Sequence, residues 1–348
     1  MKKVFIYIIL IIGLLAACEN QPVKFDDYDF KAVYFPYQRP LRTLSLGEDR
    51  IDNSLDKEGK FDIGVSIGGM YEQNWQWTVD YALDNTLVDK VYTTATPPKK
   101  ILALPSQYYT LNPTGTVTIP KGSYNGLIRV QLADAFFDDT ISLTGWYVIP
   151  LKLTATSADT ILQGSPSATN PDLRILSHWL TNKSPKNWTL FGIKYVNAYH
   201  GTYLHRGRNI RTVTATGVPF DTAKFRTKYV ENGLLIKMMS IGRKKVISNG
   251  LANKTGGNYT MVLEFPNDKG TSGAVTISSQ PGATLTVTGS GQYSDKSTST
   301  EKWIGITWQS MTLNYSWNEG IYTNTCTDTL VFRDRGLVFQ ENAIQVIP

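Results

Sequence analysis

Four consecutive residues, Leu15-Ala16-Ala17-Cys18, have the types and spacing for one specific reaction. A branched apolar residue and two small ones fit a peptidase groove, and the thiol that follows is the nucleophile for thioether formation with diacylglycerol. The stretch matches a bacterial lipobox, so cleavage before Cys18 and lipidation of Cys18 are expected. Lys2 and Lys3, followed by an apolar run over residues 4–15, supply the export signal. That run is too short to span a bilayer comfortably as a mature helix. Two or three acyl chains anchor stably where one is marginal, which predicts a mature chain that sits on a membrane without spanning it.

The remaining reactive side chains are sparse. Cys326 is the only other cysteine, so no intramolecular disulfide is available once Cys18 carries lipid. The three histidines are His178, His200 and His205. His200 and His205 stand five apart in a strand-like region and face opposite sides, which argues for structural roles over chelation of one ion. Asp134, Asp138 and Asp139 surround Phe136-Phe137 and are candidate calcium ligands together with main-chain carbonyls. The competing reading is that they hydrogen-bond their own turn. No cofactor or resident metal is expected. There is no Gly-x-Ser-x-Gly elbow, no His-Glu-x-x-His and no phosphate-binding glycine loop, so the chain reads as a non-enzyme. The net charge of +6 falls to +4 without Lys2 and Lys3, too weak and too evenly spread to argue for nucleic acid. The short cluster Arg243-Lys244-Lys245 reads as a solvated strand end.

Aromatic residues are the better lead. Sugar rings present apolar C–H faces that stack on flat side chains, while neighbouring Asn, Gln, Asp and Arg bind the hydroxyls; Tyr and Trp suit such wet interfaces. The densest set is Tyr293, Trp303, Trp308, Tyr315, Trp317 and Tyr322. Gln309 follows Trp308, and Tyr315 and Trp317 share a strand face beside Asn314 and Asn318. The expectation is that at least one of Trp303, Trp308, Tyr315 and Trp317 lines a solvent-open, glycan-binding groove, against the alternative that the set is barrel core. Tyr71, Trp75, Trp77 and Tyr81 form a second group, assigned to core packing because its alternation is so regular.

Positioning these residues falls to an all-β framework. Short segments at 32–35, 61–67, 75–82, 116–120, 126–132 and 146–153 alternate apolar with polar residues between Gly, Pro, Asn and Asp, which predicts an N-terminal β-sandwich. Regularly spaced strands from 190 to 332 predict a C-terminal antiparallel β-barrel or sandwich. A chain of 348 residues suits two domains. The division is a signal peptide at 1–17, a lipidated tether at 18–29, a first domain at 30–156, a linker at 157–172 rich in small polar residues, and a second domain at 173–348 that opens on a short helix near 173–180.

Several stretches carry a resemblance. Tyr34-Phe35-Pro36, residues 71–80, Leu104-Pro105-Ser106-Gln107-Tyr108-Tyr109, Ile119-Pro120-Lys121-Gly122-Ser123 and Asp134-Ala135-Phe136-Phe137-Asp138 in the first half resemble two-domain Bacteroidota surface lipoproteins of unknown function. Those proteins are encoded beside outer-membrane TonB-dependent importers and SusD-like proteins of glycan-utilisation clusters. Residues 195–207, from Tyr195-Val196-Asn197 to Arg206-Gly207, and residues 328–336, ending Arg333-Asp334-Arg335-Gly336, are similar to their C-terminal domain. The first domain type also precedes endo-β-N-acetylglucosaminidases, yet the Asp-x-x-Asp-x-Asp-x-Glu motif of those enzymes is absent here. The resemblance implies an outer-membrane, cell-surface location, carbohydrate as ligand, and an importer and SusD-like protein as partners. A non-sugar-binding structural or adaptor subunit of the importer complex is the alternative.

Overall fold

The computed structural model describes residues 26–49 and 51–347, so the signal segment and Cys18 lie outside the described residues. Alternation in the first half produces two facing sheets. One runs in the order Thr160–Ile161, Ala32–Tyr34, Lys60–Gly68, Asn125–Leu132, Tyr109–Asn112. The other runs Gln340–Glu341, Pro40–Ser45, Trp188–Val196, Tyr147–Thr156, Trp77–Leu83, Thr116–Ile119. Phe61, Ile63, Val65 and Ile67 face inward from the first sheet, and Ile149, Leu151, Leu153, Ile193 and Tyr195 belong to the same buried cluster from the second. Each such side chain contributes roughly 1.5–3 kcal/mol by leaving water, so the period-two pattern fixes the register of both sheets.

The division between the domains differs from the one read from composition. Residues 190–196, counted with the second half, lie in the strand Trp188–Val196, which pairs antiparallel with Tyr147–Thr156 and parallel with Pro40–Ser45 inside the sandwich. The stretch 157–172 is not a free linker either. Thr160 and Ile161 pair with Ala32 and Val33, Pro166 bridges Trp179, and the Arg174 guanidinium holds Asp172 at 2.6 Å and the Asp89 carbonyl at 2.6 Å. Small polar residues here form a strap over the sandwich, with a 3-10 turn at Leu176–His178 where a short helix was expected. The chain also returns at its end: Gln340 and Glu341 pair with Leu41 and Pro40, and Ile344–Val346 with Val91–Thr93. The sandwich thus takes residues 26–196 and 337–347, and residues 197–336 are inserted into it.

The insert is a closed antiparallel barrel of eight strands among the described residues. Its order is Gly201–Val213, Leu234–Gly242, Lys245–Ser248, Val262–Glu264, Gly273–Ser278, Val287–Ser294, Ser310–Glu319, Tyr322–Asp334, and then Gly201–Val213 again. Closure removes the exposed strand edges that an open sheet would leave. Gly201–Val213 is one long strand: residues 201–205 pair with Leu234–Gly242, and 207–212 peel outward to Pro219–Phe225. Gly207 marks the divergence. A Cβ there would meet Asp328 Oδ1 at 2.2 Å, so the strand can pass only as glycine. Met311, Leu313, Tyr315 and Trp317 form one inward row, opposite Cys326, Leu330 and Phe332. Among the described residues no helix is long and apolar enough to cross a membrane.

Candidate functional site

The four aromatic residues selected from sequence do not form an open groove. Trp303, Trp308, Tyr315 and Trp317 are 8%, 5%, 3% and 1% exposed. The indoles of Trp303 and Trp308 stack at 5.5 Å and donate to the carbonyls of Phe332 and Trp303. Tyr315 and Trp317 stack at 5.9 Å within the barrel. The Tyr315 hydroxyl donates to Asp328 Oδ2 at 2.6 Å and accepts from the Ala252 amide at 2.7 Å. Spacing of two on one face is what an inward row requires, and in a narrow closed barrel that row is core. The assignment of glycan binding to these four residues is therefore dropped. In the other aromatic group Tyr81 is buried as expected, whereas Tyr71 and Trp75 stand more than half exposed because they precede the strand Trp77–Leu83 and escape its alternation.

The other singled-out side chains have structural partners. His178 accepts from the Asp172 amide at Nδ1 (3.0 Å). His205 Nε2 lies 2.9 Å from Asp328 Oδ2 inside the barrel, close but out of hydrogen-bond alignment. His200 accepts from the Ser240 amide. Asp134 and Asp138, on the short helix Asp134–Asp138, are bound by the Arg243 guanidinium at 2.6 and 3.2 Å, so a cation from the barrel already occupies the place considered for calcium. Arg243 is accordingly a link between the domains and not a solvated strand end; Asp268 completes its set at 2.5 Å. The Arg243 hydrogen bond holds the Asp134 carboxyl below its ordinary range. Burial pushes Asp139 up, but the hydroxyls of Tyr147 and Tyr108 and the Ile141 amide outweigh it and hold this carboxyl low. Among the described residues no group of three or more His, Cys, Asp or Glu side chains is placed to hold a metal ion.

What the fold does open is a cleft of about 770 Å³ beside the domain junction. One wall is the strand Pro40–Ser45 with Phe191, a second is the segment 334–339 leaving the barrel, and Asp49, Ile51, Asp52 and Asn53 close one end. Tyr37 and Phe339 stand on its rim as a tilted pair with ring centroids 5.2 Å apart, 51% and 66% exposed. Polar groups are fixed beside them. Asp56, buried, takes Arg42 Nη2 at 2.5 Å and the Ser45 amide at 3.0 Å. Asn53 donates to the carbonyls of Ser45 and Gly47, which pins the loop. Asp52 accepts from the Ser54 amide, an interaction that holds its carboxyl below the ordinary range and keeps it an acceptor. Sequence reasoning missed this site because its parts lie up to about three hundred positions apart and meet only when the chain returns at residues 334–341.

Comparison with known proteins separates the barrel from the start of the sandwich. A family of N-terminal domains matches residues 26–160, and a domain of unknown function (DUF5627) matches residues 198–336, which are nearly the limits of the barrel. No curated protein matches. A crystal structure of a Bacteroides ovatus protein of unknown function is 31% identical, with a TM-score of 0.79 over 92% of this chain and 100% of that one. A multidomain Bacteroides ovatus protein including DUF1735 gives 13% identity and a TM-score of 0.42 over 91% of this chain and 100% of its own. Extent and identity with the first structure decide the matter: this chain belongs to the same family as that Bacteroides ovatus protein, an all-β family that joins an N-terminal sandwich domain to a DUF5627 barrel.

Proposed function

We propose that the protein is a binding protein of the outer membrane, anchored by lipid on Cys18 and facing outward, that captures glycan in the cleft at Tyr37 and Phe339 and passes it to an uptake system. The observation that carries this reading is the pairing of two exposed ring faces with fixed hydrogen-bonding groups, Arg42, Asp52 and Asn53, around one open cleft. Sugar stacking needs the first and hydroxyl recognition the second. The lipobox Leu15-Ala16-Ala17-Cys18 supports the anchor, and the resemblance to glycan-cluster lipoproteins supports a TonB-dependent importer and a SusD-like protein as partners. Of the carboxylates lining the cleft, Asp56 is paired with Arg42, Asp62 with Arg129 and Asp334 with Arg333, while Asp52 stays an acceptor suited to a sugar hydroxyl.

The test is an affinity-gel or glycan-array screen of the chain lacking residues 1–18, followed by Tyr37→Ala and Phe339→Ala. Each variant is expected to weaken binding by about 1–3 kcal/mol, the scale of bases stacked on aromatic side chains, with its melting temperature kept. Affinity unchanged in both variants would remove the cleft as the site. For anchoring, Cys18→Ala is expected to abolish fatty-acid incorporation and release the protein from the membrane fraction; continued labelling would end the lipoprotein reading. The adaptor reading has its own support, since Ile51 and Val338 on the same rim are 74% and 69% exposed and such apolar surface also suits a protein partner. A blank glycan screen with retained capture of the importer would favour it.

A further inference from the structure

The sandwich carries a second exposed aromatic surface, at the point where the tether enters. Tyr28, Phe30, Tyr71, Trp75 and Tyr124 are between 40% and 70% exposed. They come from three segments that hydrogen bonds tie together. The Tyr28 amide donates to the Gly69 carbonyl at 2.9 Å, the Tyr71 amide to Asp27 Oδ1 at 2.7 Å, and the Tyr124 hydroxyl to the Tyr71 carbonyl at 2.6 Å. Buried Gln73 donates to the carbonyls of Pro120 and Ser123 and accepts from the Trp75 amide. Tyr28 and Phe30 pack edge to face at 5.7 Å, and Trp75 lies 6.4 Å from Trp77. The rings therefore stand on a hydrogen-bonded base and not on a loose loop.

Position says what covers them. The described chain begins at Asp26, beside this surface, and Cys18 is eight residues earlier. Eight residues span at most about 29 Å even when fully extended, so a lipid on Cys18 keeps this end of the sandwich within about the thickness of one bilayer from the headgroups. Tyr and Trp combine an apolar body with a polar handle and are the residues that settle at a membrane–water boundary. Asp26, Asp27 and Asp29 beside the rings outnumber Lys31 and Lys186, so the rings themselves, and not a charge attraction, are what this end offers a headgroup layer.

We propose that Tyr28, Tyr71 and Trp75 form an interfacial docking surface that rests on the headgroup layer of the bilayer holding the anchor. The proposal depends on the lipid-anchor reading, and its consequence is a fixed orientation: the molecule stands on one end of the sandwich and does not swing on its tether.

The experiment uses the unlipidated chain of residues 19–348, which retains every described residue, and glycan-free phosphatidylcholine vesicles whose acyl chains carry bromine as a tryptophan quencher. Saturable quenching at millimolar lipid is expected, with most of it lost in Trp75→Phe. The combined Tyr28→Ser, Tyr71→Ser and Trp75→Ser variant is expected to partition at least tenfold more weakly at an unchanged melting temperature. Partitioning equal to the parent, quenching that persists in Trp75→Phe, or a parent that ignores vesicles while binding soluble glycan through Trp75 would each overturn the proposal. Fatty-acid labelling of Cys18 separates the two readings. An acylated, membrane-bound protein whose Trp75 is unquenched loses only the docking surface, and an unacylated protein that still binds vesicles loses only the anchor.

Discussion

Arg335→Met is expected to destabilise the protein by about 3–5 kcal/mol, the loss of several hydrogen bonds from a charged group to buried carbonyls at about 1.5–3 kcal/mol each. The guanidinium is 3% exposed and sits where the two crossings between the domains meet. Its Nη1 donates to the carbonyls of Ala198 and His200 at 2.9 and 2.5 Å, and its Nη2 to the carbonyl of Glu48 at 2.8 Å. The Phe332 ring lies 4.8 Å from the charge. Methionine fills similar volume but donates nothing, so the carbonyls of Ala198 and His200 lose this donor and that of Glu48 keeps only Gln309 at 3.4 Å, each carbonyl left unpaired costing about 1–3 kcal/mol. The space is shaped for the guanidinium, because a Cβ on Gly47 would fall 2.0 Å from Nη2. Arg335→Lys keeps charge without the planar fork and should fall between the parent and the methionine variant. Urea denaturation measures the series; a methionine variant within 1 kcal/mol of the parent would refute the clamp.

A pH dependence follows from the neighbour of that clamp. Burial, with smaller contributions from Arg335 and Lys194, lowers the His200 imidazole from 6.5 to about 4. The folded state therefore binds the neutral ring, whose Nδ1 accepts from the Ser240 amide at 3.1 Å. Above pH 6.5 neither state is protonated and His200 adds no pH dependence. As pH falls from 6.5 toward 4 the unfolded chain takes up a proton that the folded chain refuses, so stability is lost across that window, by about 3 kcal/mol in all. Below about 4 both states are protonated and the slope from this residue ends. The carboxyls held low, Asp134 by Arg243 and Asp295 at about 2 by Ser297 and its neighbours, lose their contribution only at more acid pH, below their unfolded values. Denaturation midpoints at pH 7, 5.5 and 4.5 should fall in the parent and stay nearly level in His200→Gln, which keeps an acceptor for Ser240. Parallel curves for the two proteins would sink the assignment.

The strands were legible wherever one face of a segment is wet and the other buried. Residues 61–67 and 126–132 announced their inward rows, and they occupy the strands Lys60–Gly68 and Asn125–Leu132. Residues 157–172 misled because small polar residues describe a solvated backbone equally well in a linker and in a strap; Thr160 pairing with Ala32 is a contact between distant positions that no local pattern records. The C-terminal aromatics were legible as a face but not as an inside face, since period two tells which residues share a side and not which side closes on itself. Arg243 and the pair Asp134 and Asp138 were each noticed separately, but nothing in either stretch announces the other. The cleft was illegible for the same reason, as Tyr37 and Phe339 become neighbours only through the returning strand Gln340–Glu341.

That returning strand bears on how such molecules diversify. The barrel leaves and re-enters its host at adjoining strand ends: Thr202 pairs with Asp334, and the Arg335 side chain donates to the Ala198 carbonyl at 2.9 Å. A cassette with adjoining ends can be deleted, replaced or duplicated in the gene while every strand of the host remains encoded and in order. Lineages built this way would exchange the barrel freely, provided that the seam bound by Arg335 is carried over with it.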